Sequence, residues 1–285
     1  MTAASIVLYN PNIPRVIQSI KSIYDQVDIV ILVDNGDSEK TKKQLSNILN
    51  DSKIVYICNG GNKGIAYAMN RAVEYCLRKK IMWLLTLDQD SICPSALIKT
   101  YKKYINMANV SIICCAINYN NQEVSFSSQV TNKYSFVNEC ITSASYINTN
   151  DCLLVGGFDE KMFIDRVDFE YCYRILNAGR KILETNEIVL DHQLGDLKIN
   201  QIGSNKVHVG GHSSFRKFYM ARNLVYCHRK HPEFNSLKYC TSKEFKLLFK
   251  TIIYENHKIQ KTLAIFRGIL SGINMQISKD NWICP

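Results

Sequence analysis

Short apolar runs alternate with segments of helical periodicity over the first 117 residues of this 285-residue chain. Apolar positions three and four residues apart, as at Ile13, Val16 and Ile20, predict amphipathic helices between the runs. Strands that alternate with helices form parallel sheets, so the pattern predicts an α/β fold, a Rossmann-like, mainly parallel sheet with helices on both faces. The predicted strands are Ser5–Tyr9, Asp28–Val33, Ile54–Cys58, Ile81–Leu87 and Val110–Ile117; the predicted helices are Ile13–Tyr24, Ser38–Leu49 with Ser38 as N-cap, Ile65–Leu77 and Pro94–Tyr104.

The alternation is less regular in the rest of the chain. Residues 118–134 are polar, which predicts a loop or an edge hairpin, and the chain turns polar again between Gly195 and Gly211. We therefore expect an α/β domain over residues 1–211 and a C-terminal helical extension over residues 212–285. The elements predicted here are strand Phe136–Ile147, helix Val167–Ala178 ending at Gly179, short strands Lys181–Glu184 and Ile188–Leu190, and helices Phe215–Cys227, Ser242–Tyr254 and Ile259–Ile269.

Basic residues outnumber acidic ones by 35 to 25, which gives a formal net charge of +10. This excess indicates a polyanionic partner: nucleic acid, an anionic membrane surface or a phosphorylated substrate. The sequence carries no helix-turn-helix, zinc-finger or aromatic RNA-binding pattern, so we expect no nucleic-acid partner. A solvated basic surface without a specific partner is the alternative.

The sequence shows no feature of an exported or membrane-spanning chain. No run approaches 18 apolar residues, and the N-terminus lacks the basic start and cleavage site of a signal peptide. The eleven cysteines include no Cys-x-x-Cys pair, and several, such as Cys58, Cys76, Cys114 and Cys115, lie in apolar runs. We therefore expect reduced, packed thiols in a cytosolic protein.

Two carboxylates follow the predicted fourth strand, in the order Asp88-Gln89-Asp90. In open α/β sheets, ligands bind at the carboxyl ends of the strands. Carboxylates at positions i and i+2 can give a divalent cation two oxygen ligands and leave its other positions for water or a diphosphate. The motif therefore predicts a Mg²⁺ or Mn²⁺ site at this edge.

Three other strand ends carry small polar residues and share the same predicted edge. Asp34 can accept hydrogen bonds from a base or a ribose, and Asn62 and Gly64 open a helix whose N–H groups suit a phosphate. These loops predict a nucleotide site, although each alone is also typical of ordinary turns. The predicted donor-binding residues are Tyr9, Pro11, Asp34, Asn35, Asn62, Gly64 and Asp88.

Acidic residues cluster again at Asp165, Asp168 and Glu170. One of these carboxylates, held near a reacting hydroxyl, can act as a general base. The alternative is an acidic helix start with an ion pair from Glu170 to Arg174.

A third metal ligand would complete the Asp88–Asp90 pair. His192 is the candidate for this ligand, with His208 and His212 as rivals.

Six motifs occur in order along the chain: LVDNGDS, NGGNKGIAYAMNRAV, LLTLDQDS, FIDRVDFE, DHQLGD and HSSFRKFYMARNLVY. Together they resemble the glycosyltransferase family 2 rhamnosyltransferases, which are bacterial enzymes of O-antigen and capsule assembly. The resemblance spans roughly Ile6 to His228. It implies a GT-A fold, a divalent metal and inverting transfer from a nucleoside-diphosphate sugar.

The resemblance also implies roles for individual residues. Asp88 and Asp90 match the metal and diphosphate motif, and His192 matches the downstream metal-binding histidine. Asp168 matches the aspartate of a Glu-Asp pair that acts as the base. This chain carries Val167 in place of the glutamate, so Asp165 is the alternative base. The segment from Arg216 to Asn223 matches a stretch near the acceptor side.

The resemblance favours dTDP-β-L-rhamnose as the donor and a polyprenyl-diphosphate-linked saccharide as the acceptor. Transfer of glucose, galactose or galactofuranose is the alternative enzyme, and a nucleotide-sugar-binding or scaffold protein is the alternative class. We expect a cytoplasmic protein, peripheral at the inner face of the plasma membrane. The basic residues of the last helices would contact the anionic leaflet, unless these helices pack on the core: Lys243, Lys246, Lys250, Lys258, Lys261 and Arg267.

Overall fold

The computed structural model describes residues 1–119, 132–192, 197–202 and 205–277, with the backbone alone at residues 119, 191–192, 197–202 and 205–209. The chain divides into two units. Unit 1 comprises Met1–Lys161 and Tyr171–Gln193, and unit 2 comprises Met162–Glu170 and Leu194–Lys279. The boundary expected at residue 211 separates functional domains, whereas these two units are defined by contacts within the chain. That boundary stays a prediction.

Unit 1 contains an eight-stranded sheet in the order β3-β2-β1-β4-β7-β5-β8-β6. The pairs β1–β2, β1–β4, β2–β3 and β5–β8 are parallel, whereas β7 runs antiparallel to β4 and β5, and β6 runs antiparallel to β8. The predicted α/β class with a mainly parallel sheet is confirmed. The strands are β1 Thr2–Leu8, β2 Ile29–Asp34, β3 Ile54–Cys58, β4 Trp83–Asp88, β5 Val110–Tyr119, β6 Tyr134–Val137, β7 Ser145–Asn148 and β8 Lys181–His192.

The helices of unit 1 bury the apolar stripes that predicted them. Helix α1 begins at Ile13 after the N-cap Asn12 and buries Val16, Ile20 and Ile23. These side chains join a core that includes Ile6 and Leu8 of β1 and Leu85 of β4, and each fully buried side chain of this size contributes about 1.5–3 kcal/mol. The helices are α1 Ile13–Tyr24, α2 Ser38–Leu49, α3 Ile65–Arg78, α4 Leu97–Tyr101, α5 Thr149–Leu154 and α6 Val167–Asn177, whose first four residues belong to unit 2.

The structure corrects several predicted boundaries. Asp37, not Ser38, caps α2, because the Asp37 carboxylate accepts the Lys40 N–H at 3.3 Å. The predicted strand Phe136–Ile147 is two strands, β6 and β7, and the positive φ of Ala144 interrupts extended backbone just before β7. Helix α4 is shorter than predicted, and α5 was not predicted.

The two short strands predicted around residues 181–190 are one strand, β8. Its register against β5 shifts between Cys115 and Ala116, so β8 contains a bulge. The bulge includes the polar residues Asn186 and Glu187, which break the apolar pattern and make one strand resemble two.

Unit 2 contains a hairpin and three helices. The hairpin joins β9 Leu197–Ile202 to β10 Asn205–Gly210 and was not predicted. The stretch was expected to be polar, although apolar and polar residues alternate in it, as at Val207, His208 and Val209. Gly268 and Gly272 allow α9 to approach α7, since a Cβ at either position would collide with a backbone carbonyl of α7. No helix in the described part of the chain is sufficiently long and apolar to cross a membrane. The helices are α7 Ser214–Lys230, α8 Leu237–Tyr254 and α9 Lys258–Asn274.

All ten cysteines in the described ranges are free thiols. Cys76, Cys114 and Cys115 are buried, as expected from their apolar surroundings. Cys58 is exposed at the end of β3, so the expectation that it packs in the core is wrong.

Candidate active site

The carboxyl ends of the parallel strands β1 and β4 bring the Asp88–Asp90 segment beside the loop after β1. Tyr9 donates its backbone N–H to Gln89 Oε1 at 3.0 Å. From α1, Arg15 Nε donates to the Asp90 carbonyl at 3.0 Å. These two contacts hold the backbone of the acidic segment, so its position depends on β1 and α1 as well as on β4.

The donor set at this edge is suited to a hard divalent cation. Asp88 is half-buried at the end of β4 and Asp90 is exposed, so both offer carboxylate oxygens at the sheet edge. In the described ranges no three His, Cys, Asp or Glu side chains cluster closely enough to hold a metal. His192 ends β8, but its side chain and that of His208 lie outside the described residues, and His212 belongs to unit 2. Two carboxylates with water and substrate phosphates are a usual Mg²⁺ environment.

A surface cavity of about 300 Å³ lies beside Asp90. Asn12, Arg15, Gln89 and Asp90 line it. Its size is near the lower end of about 300–1,000 Å³ for small-ligand sites. Pro11 lies in the loop between β1 and α1, directly before Asn12, which lines the cavity.

Asp34, at the end of β2, is fully buried. Its Oδ1 accepts the Gly36 N–H at 2.8 Å, and its Oδ2 accepts the Tyr56 hydroxyl. Burial raises the pKa of Tyr56, and the hydrogen bond to Asp34 raises it further, so Tyr56 keeps the proton that it donates. Asp34 therefore shapes the loop after β2, and its predicted contact with a nucleotide stays a prediction.

Asn35 joins the loop after β2 to the loop after β3. Its Nδ2 donates to Asn62 Oδ1 and to the Gly64 carbonyl, both at 3.1 Å, and its Oδ1 accepts the Lys63 N–H at 3.0 Å. Gly64 has a φ of 91° and precedes α3, and within the described chain no side chain caps this helix. The N-terminus of α3 thus offers backbone N–H groups of the kind that bind phosphate.

The structure therefore brings most predicted donor residues to one edge of unit 1. The loops after β2 and β3 meet through Asn35, and a Cβ on Gly36 would lie 3.3 Å from the Asn10 nitrogen, so the loops after β1 and β2 also touch. Tyr9 then links this group to Gln89. Their contact with a donor stays a prediction.

In unit 2, the acidic cluster begins in a strained loop. Phe163, Asp165 and Arg166 all have φ between 61° and 65°, a backbone conformation that residues other than glycine rarely adopt. The Asp165 carboxylate pairs with Arg216 through both of its oxygens, at 3.2–3.4 Å. Both oxygens of the Asp165 carboxylate are therefore engaged by the Arg216 guanidinium.

Asn223 holds this loop in place from α7. Its buried Nδ2 donates to the carbonyls of Met162, Ile164 and Asp165 at 2.8, 2.6 and 2.9 Å. Its Oδ1 accepts from Arg222 Nε at 2.9 Å. Hydrogen bonds to three carbonyls of the loop offset the cost of its unusual backbone.

The other two acids differ in their surroundings. Asp168 lies in the first turn of α6, where its Oδ1 accepts the Phe169 N–H at 2.9 Å, and it is half-buried. Glu170 is fully buried, with Lys230 Nζ 2.9 Å and His231 Nε2 3.2 Å from its Oε1. Glu170 therefore has a structural role within unit 2.

Sequence reasoning gave no role to Arg15, Tyr56 and Gln89, which shape these sites, and placed Asn223 only in a segment near the acceptor side. Asn223 carried a usable signal, because an amide between Ala221 and Leu224 interrupts the apolar face of a helix. The other three contact residues far away in sequence, and periodicity holds no information on such pairs.

Known proteins resemble the chain in sequence and in fold. The model of the family "Glycosyl transferase family 2" matches residues 5–164. The dTDP-rhamnosyl transferase RfbF of Shigella flexneri is 30% identical to this chain over a 303-residue alignment. The alignment covers 94% of this chain and 96% of that protein.

Two solved structures share the fold at 12% identity and a TM-score of 0.58 each. One is the mannosyltransferase PcManGT from Pyrobaculum calidifontis in complex with GDP-Man and Mn²⁺, matched over 97% of this chain and 76% of that one. The other is S. aureus TarS 1-349 in complex with UDP-GlcNAc, matched over 94% and 79%. The expected GT-A fold is confirmed, and the chain belongs to glycosyl transferase family 2.

Proposed function

We propose that this glycosyltransferase transfers L-rhamnose from dTDP-β-L-rhamnose to a saccharide acceptor. The observation that carries the proposal is the gathering of the loops after β1, β2 and β3 with Asp88 and Asp90 at one edge of the sheet. The choice of sugar rests on RfbF, which is named a dTDP-rhamnosyl transferase and aligns with nearly the whole chain.

Asp88 and Asp90 would hold Mg²⁺ or Mn²⁺, with His192 as the third protein ligand. The PcManGT structure, which holds Mn²⁺ beside GDP-Man, supports a divalent metal on this fold. The ion would neutralise charge on the leaving diphosphate. The first turn of α3 after Gly64 would bind a phosphate oxygen through backbone N–H groups.

Asp168 would accept the proton of the attacking acceptor hydroxyl. Asp165, whose two oxygens Arg216 engages, is the alternative base. Attack on the face opposite the leaving group would invert the anomeric centre, so a β-linked donor would give an α-rhamnoside.

The acceptor would be a polyprenyl-diphosphate-linked saccharide at the cytoplasmic face of the plasma membrane. Support comes from α9, where five apolar side chains repeat at heptad spacing and each is at least 50% exposed. An exposed apolar stripe on a basic helix fits an anionic membrane surface. Lys261 takes no part in this surface, because it is buried and pairs with Glu255 at 2.8 Å. The stripe consists of Ile259, Leu263, Phe266, Leu270 and Ile273.

Calorimetry with dTDP and Mn²⁺ tests the donor site. Asp88→Ala and Asp90→Ala should stay folded and lose metal-dependent binding, because each removes a carboxylate from the metal site. Asp25→Ala is the control, since Asp25 is an exposed acid at the C-terminus of α1. Unchanged dTDP affinity in both site variants would rule out the metal site.

A thermal-shift screen of nucleotide sugars tests the choice of donor. A ligand that binds only the folded state raises the melting temperature, so dTDP-rhamnose with Mn²⁺ should give the largest increase. A larger shift with UDP-glucose, UDP-galactose or UDP-galactofuranose would reassign the sugar. Binding without transfer to any acceptor would favour a nucleotide-sugar-binding protein.

A further inference from the structure

Unit 2 contains a cavity of about 320 Å³ whose walls carry an excess of positive charge. It is lined by the strained loop at Arg166, by the buried part of α7 and by one face of α8. This volume lies in the range of small-ligand sites. Its cationic side chains are Arg166, Lys217, Lys243, Lys246 and Lys250.

Both carboxylates that line the cavity are already paired. Asp165 is engaged by Arg216, as described above. Glu255 accepts from the buried Lys217 and, at 2.8 Å, from Lys261. Among the residues that the structure describes, no carboxylate forms an ion pair with Lys243 or Lys246. The acids of the cavity therefore do not pair with these two lysines of α8.

The positively charged lysines of α8 repel one another when no anion is bound. Lys243, Lys246 and Lys250 are spaced i, i+3 and i+7 and lie on one face of the helix, where like charges repel. Burial lowers the pKa of Lys217. Its hydrogen bond to Glu255 and the charge of Glu255 raise this pKa, whereas the neighbouring Lys261 and Lys250 lower it. An anion bound in the cavity would offset this repulsion.

We propose that this cavity binds the diphosphate of a lipid-linked acceptor. The inference rests on the proposed function, because that function supplies an acceptor of this chemistry. Phosphate oxygens accept hydrogen bonds from several lysines and an arginine at once. The same helix exposes Phe245 and Phe249, which offer an apolar surface to a prenyl chain. Asp165 also lines the cavity, three residues before the proposed base.

Calorimetry with inorganic diphosphate and no divalent metal tests the site in the full chain. The variant Lys243→Gln/Lys246→Gln should bind diphosphate at least about 10-fold more weakly than the wild type, since it loses two charge-assisted contacts. Both lysines are exposed, so the fold should persist. Lys99→Gln/Lys102→Gln removes the same charge from exposed positions of unit 1 and should bind normally. Equal affinities in all three proteins, or no binding to the wild type, would overturn the inference.

Two further measurements identify the source of the anion. Farnesyl diphosphate should displace inorganic diphosphate, as expected for an isoprenoid-linked ligand. If phosphatidylglycerol vesicles bind through Lys243 and Lys246 while diphosphates do not, the cavity recognises a phospholipid headgroup and the inference is wrong. Binding of dTDP with Mn²⁺ should be equal in the double variant and the wild type. A protein that binds diphosphate at the cavity but not dTDP with Mn²⁺ would keep this inference and refute the donor assignment.

Discussion

The strained loop before α6 should depend on Asn223 more than on any salt bridge at its surface. Asn223→Ala removes the donor to three carbonyls, of which Met162 keeps a hydrogen bond from Arg222 Nη2 at 2.9 Å. The carbonyls of Ile164 and Asp165 each lose a donor. Because both hydrogen bonds are only partly buried, each loss should cost about 1 kcal/mol, the lower end of the range for buried groups, so the variant should lose about 2 kcal/mol of unfolding free energy.

Urea unfolding followed by far-ultraviolet circular dichroism measures this loss. Asn186→Ala is the matched control, because the Asn186 amide makes one exposed hydrogen bond, to the Asn132 carbonyl at 3.1 Å, and its loss should cost less than about 1 kcal/mol. Turnover of Asn223→Ala should fall while dTDP affinity is kept, since the loop precedes the proposed base. A change in unfolding free energy within about 0.5 kcal/mol, as at an ordinary surface position, with normal turnover, would refute the role of Asn223.

Three other predictions concern the base, the membrane and pH. Asp168→Asn should lower turnover by about 10²–10⁴ with little change in donor affinity, as for a lost general base; an inactive Asp165→Asn beside a nearly normal Asp168→Asn would reassign the base. Phe266→Gln/Leu270→Gln should abolish sedimentation with anionic vesicles, because it removes exposed apolar area from α9; unchanged sedimentation would argue against the membrane surface. Burial raises the pKa of Glu244 to about 7, above its ordinary value of 4.5, so the free energy of unfolding should fall as pH rises between these values. Glu244→Gln should remove this dependence and be about 3 kcal/mol more stable than the wild type above pH 7, which urea titrations at several pH values would check.

Local patterns predicted the elements of unit 1 well where the strands are short, apolar and parallel. The bounds predicted for α1 and β3 agree with the structure, because their apolar positions lie between clear turn residues. The prediction failed at β9 and β10, because a stretch that was expected to be polar forms two strands that pair with each other. It also failed at β7, whose ends depend on its antiparallel neighbours.

The candidate site was predictable in outline only. The position of Asp88 and Asp90 after an apolar run places them at the carboxyl edge of the sheet, and this follows from the chain direction of a parallel strand. The sequence left two roles open for Glu170, as a candidate base or as the ion-pair partner of Arg174. Its burial against Lys230 and His231 depends on a helix some 60 residues away.

The sequence by itself determined the α/β class, the order of its first strands and helices, and the family, because each is encoded in local periodicity or in contiguous motifs. Only the tertiary structure decided which polar groups are engaged: Asp34 with Tyr56, Asp165 with Arg216, and Lys261 with Glu255. The physical reason is that a buried charge or amide must find its partner in space, and the chain can supply that partner from any distance along the sequence.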